Sequence, residues 1–119
     1  MKEYKLIITG DRNFTNYSLL SQKIFDYINN DACGYAVSIV SGMAKGADLL
    51  AARFARQYRV HLYEFPTDWS QGPGAGYARN RTMADFADAA LVFGSRDNAT
   101  RHLIEYMESL GKSVSVVRY

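Results

Sequence analysis

Five short, nearly continuous apolar runs alternate along this chain with four longer stretches in which apolar residues recur every third or fourth position. The runs Lys5–Thr9, Tyr35–Val40, Val60–Phe65, Ala89–Phe93 and Ser113–Val117 predict strands. The stretches Tyr17–Ile28, Ala47–Tyr58, Tyr77–Ala87 and Ala99–Leu110 predict helices. Leu20, Ile24, Tyr27 and Ile28 share one stripe, Leu50, Phe54 and Tyr58 a second, and Leu103, Ile104, Met107 and Leu110 a third, closed by Gly111. Continuous rather than alternating apolar runs mark strands buried on both faces, so the pattern predicts an α/β domain whose five-stranded, mostly parallel sheet lies between two helical layers. Right-handed crossovers give the strand order 3-2-1-4-5, with the chain reversing between the first and fourth strands. Ligands of open α/β sheets bind at such a reversal, beyond the carboxyl ends of the strands. The turns at Gly10, Gly42 and Gly94 fall there.

Three small-residue turns hold the candidate chemistry. In Thr9-Gly10-Asp11-Arg12 the glycine permits a tight turn, and Asp11 and Arg12 can hold a ribose hydroxyl or a phosphate, or form an exposed structural pair. Ser41-Gly42-Met43-Ala44-Lys45-Gly46-Ala47-Asp48 presents backbone amides at a helix start, and Asp48 sits in the first turn, where a carboxylate suits the helix dipole. The turn lacks the spacing and the Lys-Ser/Thr ending of a P-loop, and no GxGxxG is present, which argues against a nucleoside triphosphatase and a nicotinamide dehydrogenase. Gly74-Ala75-Gly76 runs into a helix carrying Arg79, Asn80, Arg81 and Met83. A closely approaching backbone, helix-start N–H groups and guanidinium forks suit a phosphate or carboxylate. Three such turns imply one shared pocket. In the long irregular segment after Pro66, from Thr67 to Gly76, Asp68 can bond a sugar and Trp69 can cover a nucleobase or anchor the loop against the sheet edge.

Composition narrows the field. One domain spanning residues 1–119 is expected, with an ordinary soluble make-up of 48% hydrophobic and 22% charged residues. No stretch approaches the roughly 20 apolar residues of a membrane span, and the N-terminus leads directly into a strand without a signal peptide. Cys33, the only cysteine, excludes an internal disulfide, fits a reducing cytoplasm and reads as inert packing. His61 and His102 lack metal-ligand spacing and no serine elbow is present, so neither metal nor cofactor is expected. A net charge of +2 argues against general nucleic-acid binding. The nine tyrosines are scattered, as core-edge or oligomer-contact residues would be.

Taken in order, these turns resemble the SLOG superfamily, which includes the lonely-guy phosphoribohydrolases and the DNA-processing protein A family, and most closely its small bacterial and phage branch, DUF2493 or YspA-like. The resemblance rests on Thr9–Arg12, Ser41–Asp48, Phe65–Trp69, Ala75–Met83 and Ala99-Thr100. It implies a Rossmann-like domain that binds a nucleotide or nucleotide-derived ligand, with Gly10, Arg12, Gly42, Lys45, Arg79, Asn80 and Thr100 closest to it. Relatives that cleave a base from a nucleoside monophosphate pair an arginine, matched here by Arg79 four residues before Met83, with a glutamate following a Gly-Thr turn. Here Ala99 replaces that glycine and Leu103 stands where the glutamate is expected. The expectation is therefore a ligand-binding domain that senses or processes a nucleotide. The alternatives are an N-glycosidic hydrolase with Arg79 catalytic, and a DNA-binding or interaction module. Relatives commonly dimerise, which implies a homo-oligomer in contact through the third or fourth helix.

Overall fold

The apolar runs become the strands of one sheet. The computed structural model describes residues 1–119 and places β1 at Glu3–Gly10, β2 at Ala36–Ser41, β3 at Leu62–Glu64, β4 at Ala89–Phe93 and β5 at Ser113–Val117. All neighbours are parallel and the order is β3-β2-β1-β4-β5. Helices α1 (Tyr17–Asn30), α2 (Ala47–Tyr58), α3 (Ala75–Phe86) and α4 (Asn98–Ser109) connect the strands. The sheet is a Rossmann-like α/β arrangement, as the alternation predicts.

Successive residues of β1 serve opposite faces, because strand side chains alternate. Leu6 and Ile8 join Leu20, Ile24 and Tyr27 of α1 and Ala51 and Phe54 of α2 in one buried cluster. Ile7 joins Val40, Ala90 and Val92 in a second cluster, closed by Met83 of α3 and Leu103 and Met107 of α4. Helices α1 and α2 thus cover one face and α3 and α4 the other. The chain changes face after β3, so β1 and β4 become neighbours, with Thr9 beside Val92 and Gly10 beside Phe93. The two strands stay paired to these last residues, and beyond them the chain leaves β1 for one face of the sheet and β4 for the other.

Several details differ from the expectation. β3 is confined to three residues at one edge of the sheet, with flanking bonds from Ile39 N–H to His61 O and from Phe65 N–H to Ser41 O. The irregular segment contains a 3₁₀ turn, Trp69–Gln71, and α3 begins at Ala75 rather than Tyr77. Leu110 and Tyr58 are exposed rather than inward, and Cys33 is exposed in the turn after α1 rather than packed. Lys112, just beyond α4, donates from Nζ to the carbonyls of Ala84, Asp85 and Ala87 at 2.8, 3.0 and 2.8 Å, satisfying the end of α3. No helix is long and apolar enough to cross a membrane.

Candidate functional site

A cleft of about 380 Å³ opens at the carboxyl ends of β1 and β2, bounded by the first turns of α2 and α4 and by one face of α3. Its floor is set by close backbone approach. A side chain on Gly10 would fall inside the Phe93 backbone of β4, so only glycine lets the two strand ends meet. A Cβ on Gly42 would collide with Arg79 Nη1 and stand 2.7 Å from Asp48 Oδ2. The second turn is therefore built around two charged side chains that approach its backbone from α3 and α2.

Arg79 reaches across from α3. Its Nη1 donates to Gly42 O and, at 3.1 Å, to Phe65 O, and its Nε donates to Asn80 Oδ1 at 3.0 Å. The guanidinium thus ties the ends of β2 and β3 to α3. Nη2 bonds nothing in the protein and is not among the buried unpaired atoms, so it keeps donors for a ligand. Burial lowers the Arg79 pKa, opposed by the Asp48 charge. Asp48 is 3% exposed, and burial pushes its carboxyl up to about 6 despite the Thr9 hydroxyl, the Arg79 charge and the Ala44 N–H. Thr9 Oγ1 donates to Asp48 Oδ1 at 2.5 Å, while Ala44 N is 3.4 Å from Oδ2. Ser41 is fully buried; its hydroxyl donates to Asp48 O at 2.7 Å and accepts from Met43 N. Met43 lines the cleft at φ +60°, in the left-handed region that side chains disfavour, a position expected of glycine and invisible in the local pattern.

On the opposite wall two carboxylates exchange backbone bonds. Asp11 Oδ1 accepts from Arg96 N at 2.8 Å and from Asp97 N at 3.3 Å, and its Oδ2 accepts from Tyr119 Oη at 2.9 Å. Asp97 Oδ2 in turn accepts from Arg12 N at 2.7 Å. This clasp fixes the start of α4 beside the end of β1. Thr100 Oγ1 donates to Gly10 O, and Asn80 Nδ2 donates to Ala99 O, joining α3 to the same point.

Of the residues singled out from sequence, Thr9, Gly10, Arg12, Gly42, Ala44, Lys45, Asp48, Trp69, Arg79, Asn80 and Thr100 line this one cleft. Arg12 and Lys45 stand exposed at its rim. The rest are turned elsewhere. Asp11 and Gly94 border a separate recess with Tyr119, because the Asp11 carboxylate is occupied by the amides before α4. Met83 is core. Gly46 begins α2 where the backbone of Asp11 and Arg12 leaves no room for a side chain. Asp68 bonds Ser70 and Gln71 within its own turn, and the Ser70 hydrogen bonds hold its carboxyl below the ordinary range. It borders an adjoining groove, where Arg79 forms the shared wall. Trp69 is 68% exposed and meets Gly76 rather than anchoring against the sheet edge. Asp97 and Leu103 also line the cleft. The sequence signal for Asp97 is an acid immediately before a helical stretch.

A family model described as the YspA, cpYpsA-related SLOG family (YAcAr) matches residues 4–72, more than half of the chain. The match includes the first two turns and the Asp68-Trp69 segment, while Arg79, Asn80 and Thr100 lie beyond it. A comparison with curated proteins found no match.

Proposed function

This chain belongs to the YspA, cpYpsA-related SLOG family, and from that membership and the cleft we propose that it binds a nucleotide or nucleotide-derived ligand, phosphate inward, at the carboxyl edge of its sheet. The observation that carries the reading is an asymmetry of helix starts. Asn16 caps α1 by accepting from Leu19 N, whereas α2, α3 and α4 begin with no side-chain cap. Two of these uncapped starts, those of α2 and α4, open on the cleft, and that of α3 opens on the adjoining groove. Helix starts without a side-chain cap and their dipoles favour an anion, although Leu49 N of α2 is already met by Ala44 O, and the unpaired Nη2 of Arg79 supplies further donors. The cleft volume suits a small ligand, and the exposed Trp69 offers a face on which a base can stack.

Leu103, 1% exposed, lines the cleft at the place where the resemblance puts a glutamate, so the reading is of binding, in sensing or processing, rather than hydrolysis through that acid. A net charge of +2 disfavours a DNA-binding role. We further propose that the protein works in the cytoplasm as a homodimer, with α3 or α4 at the contact; Tyr77 of α3 is 40% exposed and can anchor it. Light scattering that finds only monomer over a broad concentration range would sink the dimer.

Trp69 is the only tryptophan, so its fluorescence reports directly on the cleft. Nucleoside mono-, di- and triphosphates titrated against the protein should perturb it saturably. Arg79→Ala should weaken binding about ten- to a hundredfold, the worth of about 1.5–3 kcal/mol for a hydrogen bond to a charged group, and Arg79→Lys should recover part. Calorimetry that detects no nucleotide binding by the wild type would remove the reading. Release of free base from a nucleoside monophosphate by the wild type, lost in Arg79→Ala, would replace it with N-glycosidic hydrolysis.

A further inference from the structure

Asp48 is a buried carboxyl in the wall of a cleft otherwise suited to anions. Buried carboxylates are ordinarily paired with a cation or protonated. Asp48 forms no ion pair: the one salt bridge in the chain joins Arg56 to Glu64 on the surface. The charged groups facing the same space are Arg79 from α3, Asp97 at the start of α4, and Arg12 and Lys45 at the rim. Of these, only the Arg79 charge registers on the Asp48 carboxyl, which burial nevertheless holds at about 6. The two carboxyl oxygens are unequally served. Oδ1 takes the 2.5 Å bond from Thr9, while Oδ2 has only the 3.4 Å contact with Ala44 N and packs, with Arg79 Nη1, against the side-chain-free face of Gly42.

An anion held by Arg79 at this wall would share it with the Asp48 carboxyl, since both line the cleft and Arg79 Nη1 and Asp48 Oδ2 meet the same side of Gly42. Two negative charges repel strongly in a wall shielded from water, whereas a protonated carboxyl offers the anion a short, charge-assisted hydrogen bond. We propose that Asp48 contacts the ligand as a protonated carboxyl, its Oδ2–H donating to an anionic oxygen beside Arg79, so that wherever the free carboxyl is ionised each ligand enters the cleft together with one proton from solvent. The inference rests on the nucleotide reading and makes Asp48 a residue that favours a ligand with an anionic oxygen free to accept this bond. Only the protonated fraction of the free protein is then competent to bind. That fraction is about one half at pH 6 and about one hundredth at pH 8 for a group at about 6, so apparent affinity falls about fiftyfold between them.

The test is calorimetry of AMP, or of whichever nucleotide in the panel binds most tightly, against the whole chain at pH 6, 7 and 8 in two buffers of different ionisation heat. Asp48→Asn keeps a donor at the same place without the titration. Wild type should take up close to one proton more per ligand at pH 7.5 than Asp48→Asn, and should lose about fiftyfold in affinity from pH 6 to 8 relative to that variant; the titration of the nucleotide itself is common to both. Should Asp48→Asn fail to fold, the phosphorus resonance of the bound nucleotide decides with wild type alone. Proton uptake while the bound phosphate stays fully ionised supports Asp48 as the carrier, and uptake by the phosphate overturns it. Equal proton counts in the two proteins overturn the role of Asp48 and leave nucleotide binding intact. Failure of wild type to bind any nucleotide in the panel overturns both.

Discussion

Gly42 and Asp48 show how single residues set the character of this site. Because a Cβ on Gly42 would occupy the space of Arg79 Nη1 and crowd Asp48 Oδ2, Gly42→Ala must displace the guanidinium or the turn. We expect it to destabilise the fold by about 1–3 kcal/mol, the usual range for overpacking, and to weaken nucleotide binding as much as Arg79→Ala does. Urea unfolding and the Trp69 titration check the two effects, and an Ala variant with wild-type stability and affinity would contradict this packing. Asp48 bears on stability in the opposite sense. Its ordinary value of 3.8 lies below the folded value of about 6, so the folded chain binds this proton more tightly than the unfolded chain. The resulting stabilisation is fully present below about pH 4 and is lost as pH rises through about 6. At pH 7.5, Asp48→Asn should therefore raise stability by up to about 3 kcal/mol, with no gain at about pH 3.5. Thermal melts at the two pH values measure this, and equal differences at both would exclude the buried charge as the cause. Neither effect is visible in the motif itself, where Asp48 reads simply as an acid favoured by a helix start.

Among the elements, α3 is closed by a residue from beyond the next helix. Its last carbonyls are met by Lys112, which lies 25 to 28 residues further along the chain. Lys112→Met keeps the apolar stem and removes three hydrogen bonds to a helix end that is partly shielded from water. A loss of about 1–3 kcal/mol is expected, measured by chemical denaturation, with Lys112→Arg retaining part of it. An unchanged midpoint would mean that water satisfies those carbonyls equally well. The local pattern identified α3 from its helical stretch but placed its start two residues late, because Gly74-Ala75-Gly76 reads as a turn. In the fold Gly74 is the cap and Gly76 lies within the first turn, against the Trp69 indole. The strand β3 was legible as an apolar run, but its length was not, since its pairing covers only Ile39–Ser41 of β2.

Over the whole molecule, β1 contributes to both hydrophobic clusters through alternate residues, so the loss of either layer exposes one face of the strand on which the other layer also rests. Phe54, fully buried on the α1–α2 side, and Met107, fully buried on the α3–α4 side, are matched probes. Phe54→Ala should cost about 3–5 kcal/mol and Met107→Ala about 2–5 kcal/mol, each through lost transfer energy and the cavity left behind. Both variants should still unfold in one transition, seen at the same denaturant concentration by far-ultraviolet circular dichroism and by tyrosine fluorescence. Separate transitions for the two layers would refute the shared-sheet argument.

Periodicity and connection rules belong to the sequence alone, and they determined the alternation of strands and helices, the parallel sheet, the order 3-2-1-4-5 and the place where the chain reverses. These follow because apolar spacing is local and a right-handed crossover leaves few topologies. The turns at Gly10 and Gly42 were legible for the same reason: each comes where an apolar run ends. What only the tertiary structure decided is which polar atoms of those turns remain available in the cleft. Asp11 is taken up by amides 85 and 86 residues away and by a tyrosine 108 residues away, and Asp68 by its own turn. Asp48 loses its water to the packing of α2, while Arg79 divides its donors between two backbone carbonyls, the Asn80 side chain and the cleft. Buried polar groups ordinarily find partners, and those of Asp11, Arg79 and Thr100 lie 14 to 108 residues along the chain, where local spacing does not reveal them.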